Sequence, residues 1–83
     1  MYLEILTPDK TVFEGEVKSA KFPGSKGEFQ VLNDHAALIS SLVKGKIEYV
    51  SKQGIDELII DGGVVEVLNN KITVLAEGLL EDE

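Results

Sequence analysis

The residues of this sequence that could do the most chemistry lie in one segment, between Pro23 and Ile39. The segment holds the only histidine, His35, directly after Asp34. A histidine can serve as a general base, a metal ligand or a contact residue. The first two roles need a nucleophile or further convergent ligands, and the chain contains no cysteine. If the two residues lie on a strand, Asp34 also points away from His35. We therefore interpret His35 as a contact residue and expect no catalytic residue and no metal site.

A second group of interest is the glycine-rich stretch Gly24–Gly27, in which a serine and a lysine stand between two glycines. Phosphate-binding loops have a longer spacing between their glycines and run into a helix, whereas no helical periodicity follows Gly27. The chain also lacks arginine, the residue suited to gripping phosphate with two parallel hydrogen bonds. We expect no nucleotide site and no bound cofactor.

Composition limits the possible partners. The 83 residues fit one small domain, and 43% of them are hydrophobic. The formal net charge of −7 argues against binding to nucleic acid or to an anionic lipid surface. No apolar run approaches the roughly 18 residues of a membrane span, and Glu4 interrupts the first apolar residues, so no leader is expected. We predict a monomer, soluble when isolated, that meets a membrane only through partner proteins.

The spacing of turn signals predicts the elements that must position these residues. Glycine, proline or asparagine turns recur roughly every 7–12 residues along the sequence, and apolar and polar residues alternate between them. This pattern favours an all-β sandwich or barrel. The side chains predicted to fill its core are Leu3, Ile5, Val17, Ile47, Ile60, Val65, Val67, Ile72 and Val74.

The C-terminal third contains one specific turn and a predicted boundary. Asn69-Asn70 is typical of a two-residue hairpin turn between strands 64–68 and 71–76. From Glu77 onward four acids surround two leucines, which indicates a frayed terminus. We therefore predict a β domain over residues 1–77 and an acidic tail over residues 78–83.

Four segments together resemble a known family. Gly27–Ile39, GEFQVLNDHAALI, resembles the signature segment of the epsilon subunit of rotary F-type ATP synthases. Leu3–Gly15 is similar to the first hairpin of that subunit, Asp61–Val67 to its Gly-Gly-x-x-Glu-Val strand and Lys71–Glu77 to its closing strand. The four matches occur in the family's order and cover nearly the whole chain.

The resemblance implies a two-sheet antiparallel β-sandwich of about ten short strands. It implies a non-catalytic subunit of the central stalk that couples the gamma subunit to the rotating c-ring during proton-driven ATP synthesis. Such a subunit is peripheral to the cytoplasmic face of the bacterial inner membrane. The resemblance places Glu28 opposite the polar loops of the ring. It also implies a partner interface of residues lying against gamma and the ring, namely His35, Ala36, Leu38 and Ser40.

The sequence departs from the family's pattern in several places. Gln30 stands where the family often has glycine, Asn33-Asp34 where it has Pro-Gly, and Ala37 where it usually has proline. The sequence also stops at Glu83, whereas typical members continue into two helices. Inhibition of ATP hydrolysis and ATP binding, which belong to those helices, are therefore not expected of these residues.

Two other functional interpretations remain open at this stage. A lipoyl or biotinyl carrier domain is also short, acidic and all-β, and Lys71 beside Asn69-Asn70 could imitate its modified lysine. The second alternative is a small β-sandwich adaptor with an unidentified partner.

Overall fold

The computed structural model of the chain describes residues 1–80, in which every regular element is a β-strand. The all-β fold of about ten short strands is therefore confirmed. The strands are β1 (Tyr2–Thr7), β2 (Lys10–Glu16), β3 (Ser19–Gly24), β4 (Gly27–Leu32), β5 (Leu38–Leu42), β6 (Gly45–Ser51), β7 (Gly54–Ile60), β8 (Gly63–Leu68), β9 (Lys71–Ala76) and β10 (Leu79–Leu80).

The ten strands form one sheet that is curled into two layers. The first layer runs in the order β10-β7-β6-β3-β4 and the second in the order β5-β8-β9-β1-β2. A single pairing between β3 and β5, at Gly24 and Leu42, connects the layers. Because β4 and β5 end their layers next to this connection, the segment that joins them runs along an open edge of the domain.

One pairing departs from the antiparallel arrangement expected throughout. β1 pairs with β9 in parallel, with Leu3 opposite Ile72 and Ile5 opposite Val74. The other pairings in residues 1–80 are antiparallel. A tight hairpin forces its two strands to be antiparallel, but β1 and β9 are distant in sequence and are free of that constraint.

The core lies between the two layers. All nine side chains predicted for it are buried. Six other buried apolar residues were not predicted, among them Phe22, the largest fully buried side chain of residues 1–80. Phe22 packs against Phe29 with ring centroids 5.7 Å apart. Phe13 and Tyr49 bring β2 against β6, with ring centroids 4.4 Å apart. Burial raises the pKa of the Tyr49 phenol, and the nearby Asp56 carboxylate raises it further.

Two turns have the backbone geometry that their residues favour. Asn69 and Asn70 have φ angles of 52° and 62° and close the β8–β9 hairpin, as predicted for a two-residue turn. Gly63 has φ of 149° where β8 begins between β5 and β9. A Cβ atom there would collide with the Leu75 carbonyl oxygen and lie 3.0 Å from the Ala76 Cα atom, so only glycine fits without displacement of the backbone.

The frayed terminus predicted from Glu77 onward is wrong for Leu79 and Leu80. These two residues form β10 and pair with Ile60 and Ile59 of β7. The preceding residues are also held, since the Asp61 N–H donates to the Gly78 carbonyl at 3.0 Å. The rest of the predicted acidic tail, residues 81–83, lies outside the described residues.

Candidate functional site

All five residues predicted to touch a partner lie between residues 27 and 42, which we call the β4–β5 edge. It consists of β4, the connecting segment 33–37 and β5. Within the described residues β4 pairs only with β3, and β5 pairs along its length only with β8. The predicted contact residues are Glu28, His35, Ala36, Leu38 and Ser40.

Glu28 is exposed near the start of β4, opposite Pro23 of β3. The hairpin tip before it is fastened to β5. The Ser25 N–H donates to the Ser41 carbonyl at 3.0 Å, and the two hydroxyl oxygens are 2.8 Å apart. The Val43 N–H also donates to the Pro23 carbonyl at 2.9 Å. The Glu28 carboxylate is therefore displayed from a fixed backbone.

His35 and Ala36 lie in the segment between the two strands, where Ala36 is exposed and His35 is half-buried. The His35 N–H donates to the Leu32 carbonyl at 3.1 Å. The ring Nδ1 is 2.7 Å from the Ala36 carbonyl oxygen. A carbonyl can only accept, so the proton lies on Nδ1 and the Nε2 atom of the neutral ring is left as an acceptor. A partner donor could use that atom.

The same segment is tied to the β8–β9 turn by side-chain amides. The Asp34 N–H donates to Asn70 Oδ1 at 2.8 Å, and Asn70 Nδ2 donates to Asn33 Oδ1 at 3.0 Å. Asn33 Nδ2 in turn lies 3.3 Å from Asp34 Oδ2. Nothing in the local spacing of the sequence indicates that residue 70 meets residues 33 and 34.

Leu38 and Ser40 face the core side of β5. They pair with Val67 and Val65, which are buried, and Leu38 packs against the core cluster. The intervening residue, Ile39, points outward with 71% of its surface exposed. Alternation along β5 indicates this outward face. Two large exposed apolar side chains of the edge lie outside the predicted set, Ile39 and Leu32, the latter 54% exposed.

Glu28 and His35 lie beyond opposite ends of the central part of β4. Glu28 is at the start of β4, beside the Ser25–Ser41 contact, whereas His35 follows the end of β4, beside the β8–β9 turn. Leu32 is four positions beyond Glu28 along the extended strand, a distance of about 13 Å. The two residues share an edge and lie at opposite ends of it.

Other surfaces of the described part of the chain offer little chemistry. In residues 1–80 no three histidine or acidic side chains converge as metal ligands would, and no helix long and apolar enough to cross a bilayer occurs there. An open groove of about 630 Å³ lies between β2 and the β6–β7 turn, lined in part by Phe13, Glu16 and Lys52. This groove is separate from the β4–β5 edge.

Comparison with known proteins assigns the family. A sequence model described as ATP synthase, Delta/Epsilon chain, beta-sandwich domain matches residues 1–81. The chain belongs to this ATP synthase delta/epsilon family. Its resemblance to epsilon subunits, first seen in four short segments, is thereby confirmed.

Two relatives of this chain come from Campylobacter. The ATP synthase epsilon chain of Campylobacter hominis is 41% identical and the alignment covers 94% of this chain and 62% of that protein. The epsilon chain of Campylobacter jejuni is 51% identical, with 90% of this chain and 59% of the relative covered. The chain therefore spans about three fifths of the length of these curated relatives.

Solved structures share the fold of this delta/epsilon domain. A chain of the Euglena gracilis mitochondrial ATP synthase, in an OSCP/F1/c-ring structure, superposes with a TM-score of 0.86 at 22% identity, covering 94% of this chain and 51% of the other. A chain of the Tetrahymena thermophila mitochondrial ATP synthase, from its central stalk/c-ring structure, gives a TM-score of 0.81 at 16% identity, covering 96% and 65%.

Family membership also argues against the carrier-domain interpretation. That interpretation needed Lys71 at the tip of a hairpin, ready for lipoyl or biotinyl attachment. In this delta/epsilon domain Lys71 is the first residue of β9, paired with Tyr2 of β1, and its Nζ atom lies 3.7 Å from the Glu4 carboxylate. The position is that of a strand residue with a surface ion pair.

Proposed function

We propose that the chain is the β-sandwich domain of a non-catalytic central-stalk subunit, which couples the gamma subunit to the c-ring during proton-driven ATP synthesis. The observation that carries this proposal is the similarity to ATP synthase epsilon chains over at least nine tenths of the chain. The two structural neighbours come from assemblies that contain the c-ring, which supports the same placement.

The fold supports a mechanical role. A subunit that transmits torque must resist deformation, and a close-packed interior has low compressibility. Here the core joins both layers, and the two ends of the β4–β5 edge are each fastened to a neighbouring strand or turn. Contacts made along this edge would therefore be transmitted to the whole domain.

The β4–β5 edge offers three different kinds of contact. Glu28 presents a carboxylate that can accept hydrogen bonds from polar or cationic groups of the ring, and such bonds are strong when sheltered from water. Ile39 presents an exposed apolar side chain suited to the centre of an interface. His35 presents Nε2 as an acceptor. We assign gamma and the ring to this edge, with Ala36, Leu38 and Ser40 shaping the backbone between these groups.

The charge of the chain fits attachment through proteins. A net charge of −7 disfavours direct contact with anionic headgroups. We propose that the domain sits at the cytoplasmic face of the bacterial inner membrane, where gamma and the ring hold it.

A pair of charge reversals tests this assignment. Glu28→Lys changes the proposed contact, whereas Glu14→Lys makes the same change on β2, four strands from β5 in the second layer and roughly 19 Å away. Glu14 is exposed and accepts a hydrogen bond from the Tyr2 hydroxyl at 3.2 Å. The assay measures the affinity of the chain for a purified gamma–c-ring complex, and the thermal midpoint of each variant alone.

Loss of a desolvated charge contact costs about 2–5 kcal/mol, so Glu28→Lys should weaken binding by more than about tenfold. Both variants should keep the stability of the parent within about 0.5 kcal/mol. Equal weakening by Glu14→Lys would show that overall charge, not the β4–β5 edge, governs binding. A parent chain that binds neither gamma nor the ring would refute the proposed function and would favour the adaptor interpretation.

A further inference from the structure

We infer that Asn70 is a positioning residue for the partner-binding edge, because its side chain fixes the segment that carries His35. The inference rests on the proposed function, since it concerns how the β4–β5 edge is prepared for a partner. Asn70 belongs to the β8–β9 turn and lies outside the edge itself.

Asn70 uses both halves of its side-chain amide. Its Oδ1 accepts from the Asp34 N–H at 2.8 Å, and its Nδ2 donates to Asn33 Oδ1 at 3.0 Å. A carboxylate could make the first bond but could not donate the second. The Asn70 backbone is held separately, because its carbonyl accepts from the Tyr2 N–H at 3.2 Å. The side chain thus joins segment 33–34 to an anchored turn.

The bond to Asp34 fixes a backbone that is uncommon for its residue type. Asp34 has φ of 64°, a left-handed conformation that few non-glycine residues adopt. The next residue is His35, whose N–H and Nδ1 bond to Leu32 and Ala36. The Asn70 amide therefore holds the residue covalently joined to His35, and the two bonds of His35 itself hold the imidazole in place.

A segment that is already in its bound conformation loses less entropy when a partner arrives. Asp34, Ala36 and Ala37 are exposed. The segment has no proline to stiffen it, so the Asn70 amide supplies the restraint from outside.

The test compares three substitutions in the β8–β9 turn. Asn70→Gly removes the amide and keeps a residue suited to positive φ. Asn70→Asp keeps the acceptor for the Asp34 N–H but loses the donor to Asn33. Asn69→Gly is the matched control, because Asn69 has φ of 52° in the same turn and takes no part in the bonds to residues 33 and 34.

Two measurements are needed for each variant: hydrogen exchange of the Asp34 amide in the chain alone, and the affinity for a purified gamma–c-ring complex. A typical hydrogen bond changes an equilibrium constant by about two- to tenfold. Asn70→Gly should therefore speed hydrogen exchange of the Asp34 amide by about three- to tenfold, and it should weaken binding by about the same factor. Asn70→Asp should keep slow exchange and weaken binding less, and Asn69→Gly should match the parent in both.

The possible failures are distinct. Unchanged Asp34 exchange in Asn70→Gly would overturn the restraint itself. Faster exchange with parental affinity would overturn the positioning role and leave the proposed function standing. A parent chain with no affinity for gamma or the ring would overturn the proposed function, and the positioning role with it.

Discussion

Replacing Gly63 with alanine should be among the most damaging single-methyl changes in the domain. Gly63 lies where β8 begins, paired with Leu42 on one side and Ala76 on the other. An added Cβ would collide with the Leu75 carbonyl oxygen and would lie 3.0 Å from the Ala76 Cα atom. Both obstacles are backbone atoms, so no side-chain rotation can relieve the overlap.

The expected magnitude has two parts. A non-glycine residue at this φ of 149° carries strain of about 1–3 kcal/mol. Moving β9 away from β8 to make room would also weaken about two ladder hydrogen bonds, each with a net contribution of about 1 kcal/mol. The sum, about 3–5 kcal/mol, is a large fraction of the roughly 4–12 kcal/mol expected for 83 residues.

Two other glycines separate these parts. Gly27 has φ of 126° but open space where its Cβ would go, and Gly78 has open space and an ordinary φ. Gly27→Ala should therefore cost only the strain of about 1–3 kcal/mol, and Gly78→Ala should be neutral or slightly stabilising.

Thermal and urea unfolding of the three variants provide the measurement. At about 4–8 °C per kcal/mol for a domain of this size, Gly63→Ala should lower the midpoint by at least roughly 12 °C. If Gly63→Ala and Gly27→Ala were equally destabilising, the close approach of β8 and β9 would contribute nothing and the reasoning from the backbone collision would be wrong.

Two further predictions concern the core. Ile72→Ala should lower the free energy of unfolding by about 2–5 kcal/mol, because Ile72 is fully buried. Leu75→Ala, on the exposed face of the same strand, should change it by about 0.5 kcal/mol. Similar urea midpoints for the two variants would contradict the faces assigned to these residues. The raised pKa of Tyr49 means that the folded state keeps its phenol proton above pH 10, where the unfolded chain releases it. Stability should therefore fall as pH rises through and beyond about 10. In urea unfolding series from pH 8 to 11, the free energy of unfolding of Tyr49→Phe should fall less steeply than that of the parent. Parallel curves would exclude Tyr49 as a contributor.

Local pattern was enough to predict nine of the fifteen buried apolar residues of the core. Eight of the nine predicted core residues lie on the buried side of a strand, because alternation assigns a face without knowledge of which strands are neighbours; Val17 is buried between β2 and β3. Asn69-Asn70 was predicted for a similar reason, since the turn depends on the φ preferences of two adjacent residues. Phe22 was missed because Pro23 and Gly24 directly after it read as a turn, although the strand continues through both.

The features that sequence did not predict depend on which distant segments meet. Glu28 and His35 are close in sequence, but an intervening extended strand carries them to opposite ends of the edge. Leu38 was predicted to touch a partner, and its half-buried side chain also packs against the core. The contact between Asn70 and Asp34 needs both the β8–β9 turn and the end of β4 to be in place, which no spacing rule expresses.

The parallel pairing of β1 with β9 has a consequence for how the domain acquires its structure during synthesis. β1 leaves the ribosome first, yet its neighbour in the second layer, Lys71–Ala76, is among the last parts of the domain to emerge. Of the two pairings of β1, only the hairpin with β2 can form early, and an isolated two-stranded hairpin is marginally stable. Contacts between such distant residues slow folding, so the apolar face of β1 stays exposed until nearly the whole domain has been synthesised. Aggregation during translation is therefore expected to depend more on the N-terminal hairpin than on any later strand.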